Sequence, residues 1–187
     1  MDSKQVFVQA IERLLVHRTL EEITVTDIVA ESGLSRSNFY NHFTDKYDLV
    51  NWRHKAIHEQ RMDEFIKGHV TYGELLRLSL EGMGAYKMVY ANSLASDAYE
   101  ALRSHILRLS VDGLHRILEA SGVDVNDQEV KTLIQMHTVS SCDVIFRWLQ
   151  GSVSLDVDVL ASLIERALPG EFAKAIAERS GHGPKLL

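Results

Sequence analysis

The chain has 187 residues, 45% of them hydrophobic, with two prolines, 11 glycines and one cysteine, Cys142. That is apolar material for a core in one or two small domains, and too little Pro and Gly for a disordered or turn-rich β protein. A lone cysteine excludes a disulfide framework and a cysteine-based metal site, the formal charge of −6 gives no overall basic footprint, and no apolar run approaches a signal h-region or a membrane span. A soluble protein of the reducing cytoplasm is expected.

Residues 3–18 carry Val6, Phe7, Ala10, Ile11, Leu14 and Leu15 at three- and four-residue spacing, which predicts an amphipathic bracing helix. A short connector, Arg18 to Glu22, follows, with Leu20 and Ile23 turned back into the core. The stretch 24–46 reads TVTDIVAESGLSRSNFYNHFTDK. Thr24 is placed to N-cap a helix, and Asp27 three residues on completes a capping-box-like pair. Ile28 and Val29 give that helix its apolar side, and Gly33 falls where a left-handed residue stops it. Ser35 caps a second helix, Arg36 to about Phe43, and Asp45 with Asp48 caps a third. Helix, tight turn and helix is the helix-turn-helix, whose second helix enters the major groove.

The side chains of that second helix suit the task. Phe39 and Phe43, four apart, face inward and hold the helix on its own small core. Arg36, Ser37, Asn38, Tyr40, Asn41 and His42 cover the rest: Arg forks onto guanine, Asn pairs with adenine, and the hydroxyls and imidazole reach phosphates or base edges. Thr24, Thr26 and Ser35 complete the expected DNA-contacting set. Lys46, a cation in the first turn of the next helix, is expected to meet a phosphate there.

The run ITVTDIVAESGLSRSNFYNHFTDKYDLV resembles the N-terminal domain of TetR/AcrR-family transcriptional regulators. The match lies in its T-x-x-D-I start, its AESGLS turn, its F-Y-x-H-F recognition helix and the D-K-x-x-L opening of the fourth helix. The resemblance implies an all-α fold of about nine helices. A three-helix DNA-binding domain at 1–46 would precede a helical effector-binding and dimerisation domain at 47–187. It implies a ligand-responsive regulator, in the first instance a repressor, that binds a palindromic double-stranded DNA operator as a homodimer and carries no cofactor. Association with the nucleoid follows from such a role. Residues 1–50 nevertheless hold five basic residues against eight acidic ones. A head so poor in cations has to rely on specific contacts more than on non-specific attraction.

From Lys46 a long helix is expected to about Lys67, ended by Gly68; in the family this helix links head to body. His54 and His58 lie four apart on it, a zinc-ligand spacing, but no third ligand accompanies them. They are expected to be solvated or interfacial. Further helices are expected at 72–82, 85–92, 97–121, 127–151 and 156–168, with a short one near 171–179. Their caps would be Thr71, Ser96, Asn126 and Ser154 or Asp156.

Tyr86, Tyr90, Tyr99, Met136 and Phe146 are the expected lining of a pocket for a small apolar or amphipathic effector, although such residues equally suit plain core. TetR-like regulators pair through their last two long helices. The resemblance therefore puts His137, Ser141, Val144 and Trp148, with Leu160 and Ile164, at a dimer interface. A second reading replaces the small molecule by a protein partner and repression by activation. DKYDLVNW together with Trp148 is similar to TetR-like proteins associated with dihydroxyacetone kinase operons, and an exposed apolar patch without a deep cavity would favour that reading. A redox role for Cys142 would need an exposed, electropositive setting. No phosphate loop, nucleophile elbow, paired carboxylates or metal set points to an enzyme.

Overall fold

Side-chain caps start most of these helices, and left-handed glycines follow several of them. The computed structural model describes residues 2–84 and 97–179, the side chains of 97–99, 101 and 102 excepted. Nine helices follow one another there: α1 (Ser3–Leu15), α2 (Val25–Ser32), α3 (Arg36–Tyr40), α4 (Lys46–Ile66), α5 (Tyr72–Gly84), α6 (Asp97–Ala120), α7 (Gln128–Leu149), α8 (Val157–Arg166) and α9 (Gly170–Arg179). The described residues contain no strand. No helix among them is long and apolar enough to cross a membrane.

The capping box at α2 is complete. Thr24 Oγ1 accepts the Asp27 N–H at 3.2 Å, and the Thr24 N–H donates to the Asp27 carboxylate at 2.7 Å. Thr71 and Glu74 repeat the arrangement at α5. Ser35, Asp45 and Asp156 cap α3, α4 and α8 as the sequence predicts. At α7 the cap is Asp127 rather than Asn126, its carboxylate accepting from the N–H groups of Glu129 and Val130. Gly33 ends α2 at φ 70°, a conformation that costs any other residue but Asn or Asp appreciably more. Each such cap contributes about 1 kcal/mol.

Two helices are shorter than their patterns suggest. The first ends at Leu15, and Arg18 closes a turn onto the Leu14 carbonyl at 3.1 Å. The recognition helix α3 ends at Tyr40, and the chain tightens through Asn41 and His42, whose N–H donates to the Phe39 carbonyl at 3.0 Å. Phe43 is thereby delivered into an aromatic cluster, edge-to-face with Phe7 and Trp52 and tilted against Phe39. The helix expected at 85–92 and the Ser96 cap lie outside the described residues.

The core does not stop at residue 46. Phe7, Ile11, Leu20, Ile23, Ile28, Phe39 and Phe43 continue through Leu49 and Val50 of α4 into Leu80, Ile106, Phe146, Trp148, Leu149 and Leu160 of the body. A second cluster, built on Phe65, Tyr72, Leu114, Leu118, Ile134 and Phe172, fills the far end. In the body α6 packs on α4 and α7, α8 packs on α5, and α9 lies against α6. These helices frame an internal space.

Candidate functional site in the head and the body

The head exposes a narrow strip. Arg36, Ser37, Tyr40 and Asn41 face outward while Phe39 is buried beneath them. Arg36 is already oriented. Its Nη1 donates to Thr26 Oγ1 at 3.0 Å and its Nη2 to the Tyr40 hydroxyl at 3.1 Å, with the guanidinium 5.4 Å from the Tyr40 ring centre. Thr26 at the start of α2 and Tyr40 at the end of α3 thus hold a cation between them, and further N–H groups remain for a guanine edge or a phosphate. Thr24 and Ser35 are also exposed, with hydroxyls that close the caps of α2 and α3.

Three expected contact residues have other surroundings. Asn38 is half-buried and its amide donates to Ser3 Oγ at 3.4 Å, toward the start of α1. The half-buried His42 ring packs on Phe43 with centroids 6.2 Å apart. Lys46 turns inward. Its ammonium donates to the carbonyls of Leu20, Glu21 and Ile23 at 2.6, 3.0 and 2.8 Å, and burial lowers its pKa. A phosphate contact at Lys46 would require breaking this tripod, so the cation's place in the first turn of α4 has a structural reason of its own.

Much of the acidic excess of the head is taken up in place. Glu31 pairs with Arg13, Asp27 with Arg18 and Glu12 with Arg53. Asp45 and Asp48 accept from the backbone around the start of α4, and Glu22 from Thr19. The hydrogen bonds from Thr24 and Arg18 hold the Asp27 carboxyl well below the usual range. Arg36 is left as the one cation in α2 and α3.

In the body, a cavity of about 160 Å³ lies among α4, α5, α6 and α7. Helices α5 and α6 supply apolar walls, among them Leu75, Leu76, Leu80, Met83, Ile106, Leu109 and Leu114. Helix α4 supplies Arg53, His54, Ile57, His58 and Arg61, and α7 supplies His137, Thr138, Ser141, Cys142 and Ile145. His54 and His58, both part-buried, line this cavity. Burial pushes the His54 imidazole down to about 3, with Arg53 adding to the shift, and burial lowers His58 and His137 as well. The His137 ring lies 3.2 Å from the Ala167 carbonyl. Cys142 is buried against Ser110 Oγ at 3.4 Å, and burial raises its thiol pKa, the opposite of a reactive thiolate.

The expected pocket lining needs correction. Met136 is 62% exposed on the outer side of α7, and Phe146 is buried in the core beneath Arg103, away from the cavity. Tyr86 and Tyr90, together with the Tyr99 side chain, lie outside the described residues. Arg53 and Arg61 were not anticipated. Their signal was present, because 53, 54, 57, 58 and 61 form a single helical stripe, but its polar composition disguised an inward face.

The expected dimer residues also shift. His137 and Trp148 on α7, with Leu160 and Ile164 on α8, are buried within the subunit, and Ser141 faces the cavity. Trp148 Nε1 donates to the Leu155 carbonyl at 2.8 Å, a tie inside the chain. Only Val144, 37% exposed, stands on an outer face. Beside it on α7 are Met136 and Val139, and α8 exposes Val159 and Leu163. Those five are the apolar side chains the two helices present outward.

The chain thus joins a helix-turn-helix head to an all-helical body through one continuous core. Residues 7–51 match the family described as "Bacterial regulatory proteins, tetR family". Among solved structures, the fold is similar to "Dihydroxyacetone kinase operon activator DhaS", with a TM-score of 0.66 and 18% identity over 91% of this chain and 96% of that one. It is similar to the TetR family repressor AlkX from Dietzia sp. strain DQ12-45-1b, implicated in biodegradation of n-alkanes, with a TM-score of 0.55 and 14% identity over 89% and 93% of the two chains. A tetR-family transcriptional regulator from Streptomyces coelicolor gives a TM-score of 0.53 and 15% identity over 97% and 93%. No curated protein sequence matches the chain. Residues 7–51 thus match the DNA-binding region of the tetR family, and the chain as a whole shares the all-helical fold of these structures.

Proposed function

We propose that the protein is a cytoplasmic, homodimeric regulator that reads a palindromic operator through α3 and releases it when a small molecule fills the cavity of the body. The observation that carries this reading is the cavity between α4 and its neighbours, joined to the head by the same helix that opens at Asp45. An effector that prefers one arrangement of α4 must oppose the operator reciprocally if the operator prefers the other. Arg36, Tyr40, Ser37 and Asn41, with Thr26, form the reading surface. Residues 1–46 serve as the DNA-binding unit and 47–187 as the effector and dimer unit. The outward Met136, Val139, Val144, Val159 and Leu163 supply the apolar contact between subunits, which places two recognition helices about 34–36 Å apart on one side of the duplex.

Repression follows from this logic, since the empty protein is the DNA-bound one. Activation is the second reading, and it draws on the similar architecture of a protein named as an operon activator. Selection from a random duplex pool at two salt concentrations tests the core of the proposal. Recovery of a palindrome supports it, and recovery of no sequence by folded dimer refutes it. A reporter carrying the selected site upstream or within a promoter then separates the two signs.

A further inference from the structure

The cavity has a charge asymmetry. Among the described residues its lining includes two arginines, Arg53 and Arg61, three histidines, and no Asp or Glu. Arg53 is bonded to Glu12. Arg61 differs, because among the described residues it makes no hydrogen bond or ion pair, although its guanidinium is half-buried. The carboxylate that acts on it electrostatically, Glu81, is held on the exposed face of α5 by Arg77 at 2.6 Å. A half-buried cation without a hydrogen-bond partner is a ready seat for an anion.

Two glycines make room for these basic groups. A Cβ on Gly82 of α5 would lie 2.6 Å from Arg61 Nη2, and a Cβ on Gly113 of α6 would lie 2.8 Å from His58 Cε1 and 3.0 Å from Nε2. His58 Nε2 is itself buried with no hydrogen-bond partner. The polar wall is therefore seated on bare backbone at two points, and it faces Leu75, Leu76, Leu80 and Ile106. An apolar cavity of ~150 Å³ holds a benzene-sized molecule, which fixes the scale of what fits here.

We propose that the cavity binds a small amphipathic carboxylate, its compact apolar body among the leucines and its anionic end on Arg61 and His58. The inference rests on the effector reading above and narrows it to a chemical class. Arg61 is a ligand-binding residue, and Arg53 on the same wall ties the occupied cavity to Glu12 of the head.

The test uses full-length protein without DNA. Benzoate, pentanoate and hexanoate are titrated by calorimetry and thermal shift, each beside the alcohol and the amine of the same carbon skeleton. The expected result is that at least one acid binds tenfold or more tightly than its alcohol and its amine. R61Q weakens that acid at least tenfold and leaves the alcohol unchanged. G82A, which keeps every charge but crowds the guanidinium, weakens the acid in the same direction and carries the test if R61Q does not fold. No acid outbinding its alcohol, or an acid equally tight on wild type and both variants, overturns the proposal. Operator is added only afterwards. An acid bound through Arg61 that fails to release the selected duplex leaves this inference standing and refutes the effector reading; release by neutral compounds alone does the reverse.

Discussion

Arg53 of α4 is ion-paired with Glu12 of α1, 41 positions earlier in the chain, and the same Arg53 lines the cavity of the body. One side chain therefore touches both the head and the space proposed for the effector. Neither partner is fully exposed, so the pair lies between a solvated surface bridge and a buried one. A double-mutant cycle on Glu12→Gln and Arg53→Gln is expected to give a coupling of about 1 kcal/mol in urea unfolding. A coupling near zero would separate the cavity wall from the head.

Lys46→Met is expected to lower stability by about 2 kcal/mol, because three carbonyls lose a charged donor together. Thermal melts of the full-length protein measure this. The salt dependence of operator binding should stay unchanged, in contrast to a true phosphate contact, whose loss reduces the slope by about one unit.

Arg36→Ala is expected to cost about 1–3 kcal/mol on the selected operator and far less on unrelated duplexes, if the guanidinium reads a base. Tyr40→Phe removes only the hydroxyl that accepts from Arg36 Nη2 and should give a smaller loss at the same base position. Fluorescence anisotropy on a set of single-base operator variants would resolve the two.

Exposed and buried positions on α8 should separate assembly from folding. Leu163→Glu is expected to give a folded monomer by sedimentation, since Leu163 faces outward. Leu160→Ala, at a position with no exposed surface, should cost about 2–5 kcal/mol of subunit stability. Should Leu163→Glu remain dimeric, the subunits meet elsewhere.

Acid should destabilise the protein before its carboxylates titrate. The folded-state pKa of His54 is pushed down to about 3, below the ordinary 6.5 of an exposed ring. Between those values the unfolded chain binds a proton that the folded chain does not. The contribution is thus intact above about pH 6.5 and is lost as the pH falls toward 3. His54 alone gives at most about 1.4 kcal/mol per pH unit, and His58, His105 and His137 act in the same direction. Urea midpoints between pH 7 and pH 5 should fall, and less steeply for His54→Gln.

The head was legible in the sequence because its determinants are local. Thr24 meets Asp27 across three residues, Ser35 meets the Asn38 N–H across three, and Gly33 stops α2 through its own backbone. Spacing within one turn of helix is fixed by geometry and needs no partner from elsewhere. The same holds for Phe39 and Phe43, whose inward direction follows from the 3.6-residue period.

Only the tertiary structure decided the rest. Lys46 reaches carbonyls 23 to 26 positions away, and Arg53 reaches Glu12 across 41; no local pattern encodes either. On α7, Met136 and His137 are adjacent in sequence, yet one is on the surface and the other in the core. A helix with apolar residues on two sides does not itself specify which side turns inward, because one position is a rotation of about 100°. Packing against α5, α6 and α8 makes that choice. The same packing turned the stripe from Arg53 to Arg61 toward the cavity, where partial burial makes a charge more costly to leave unpaired.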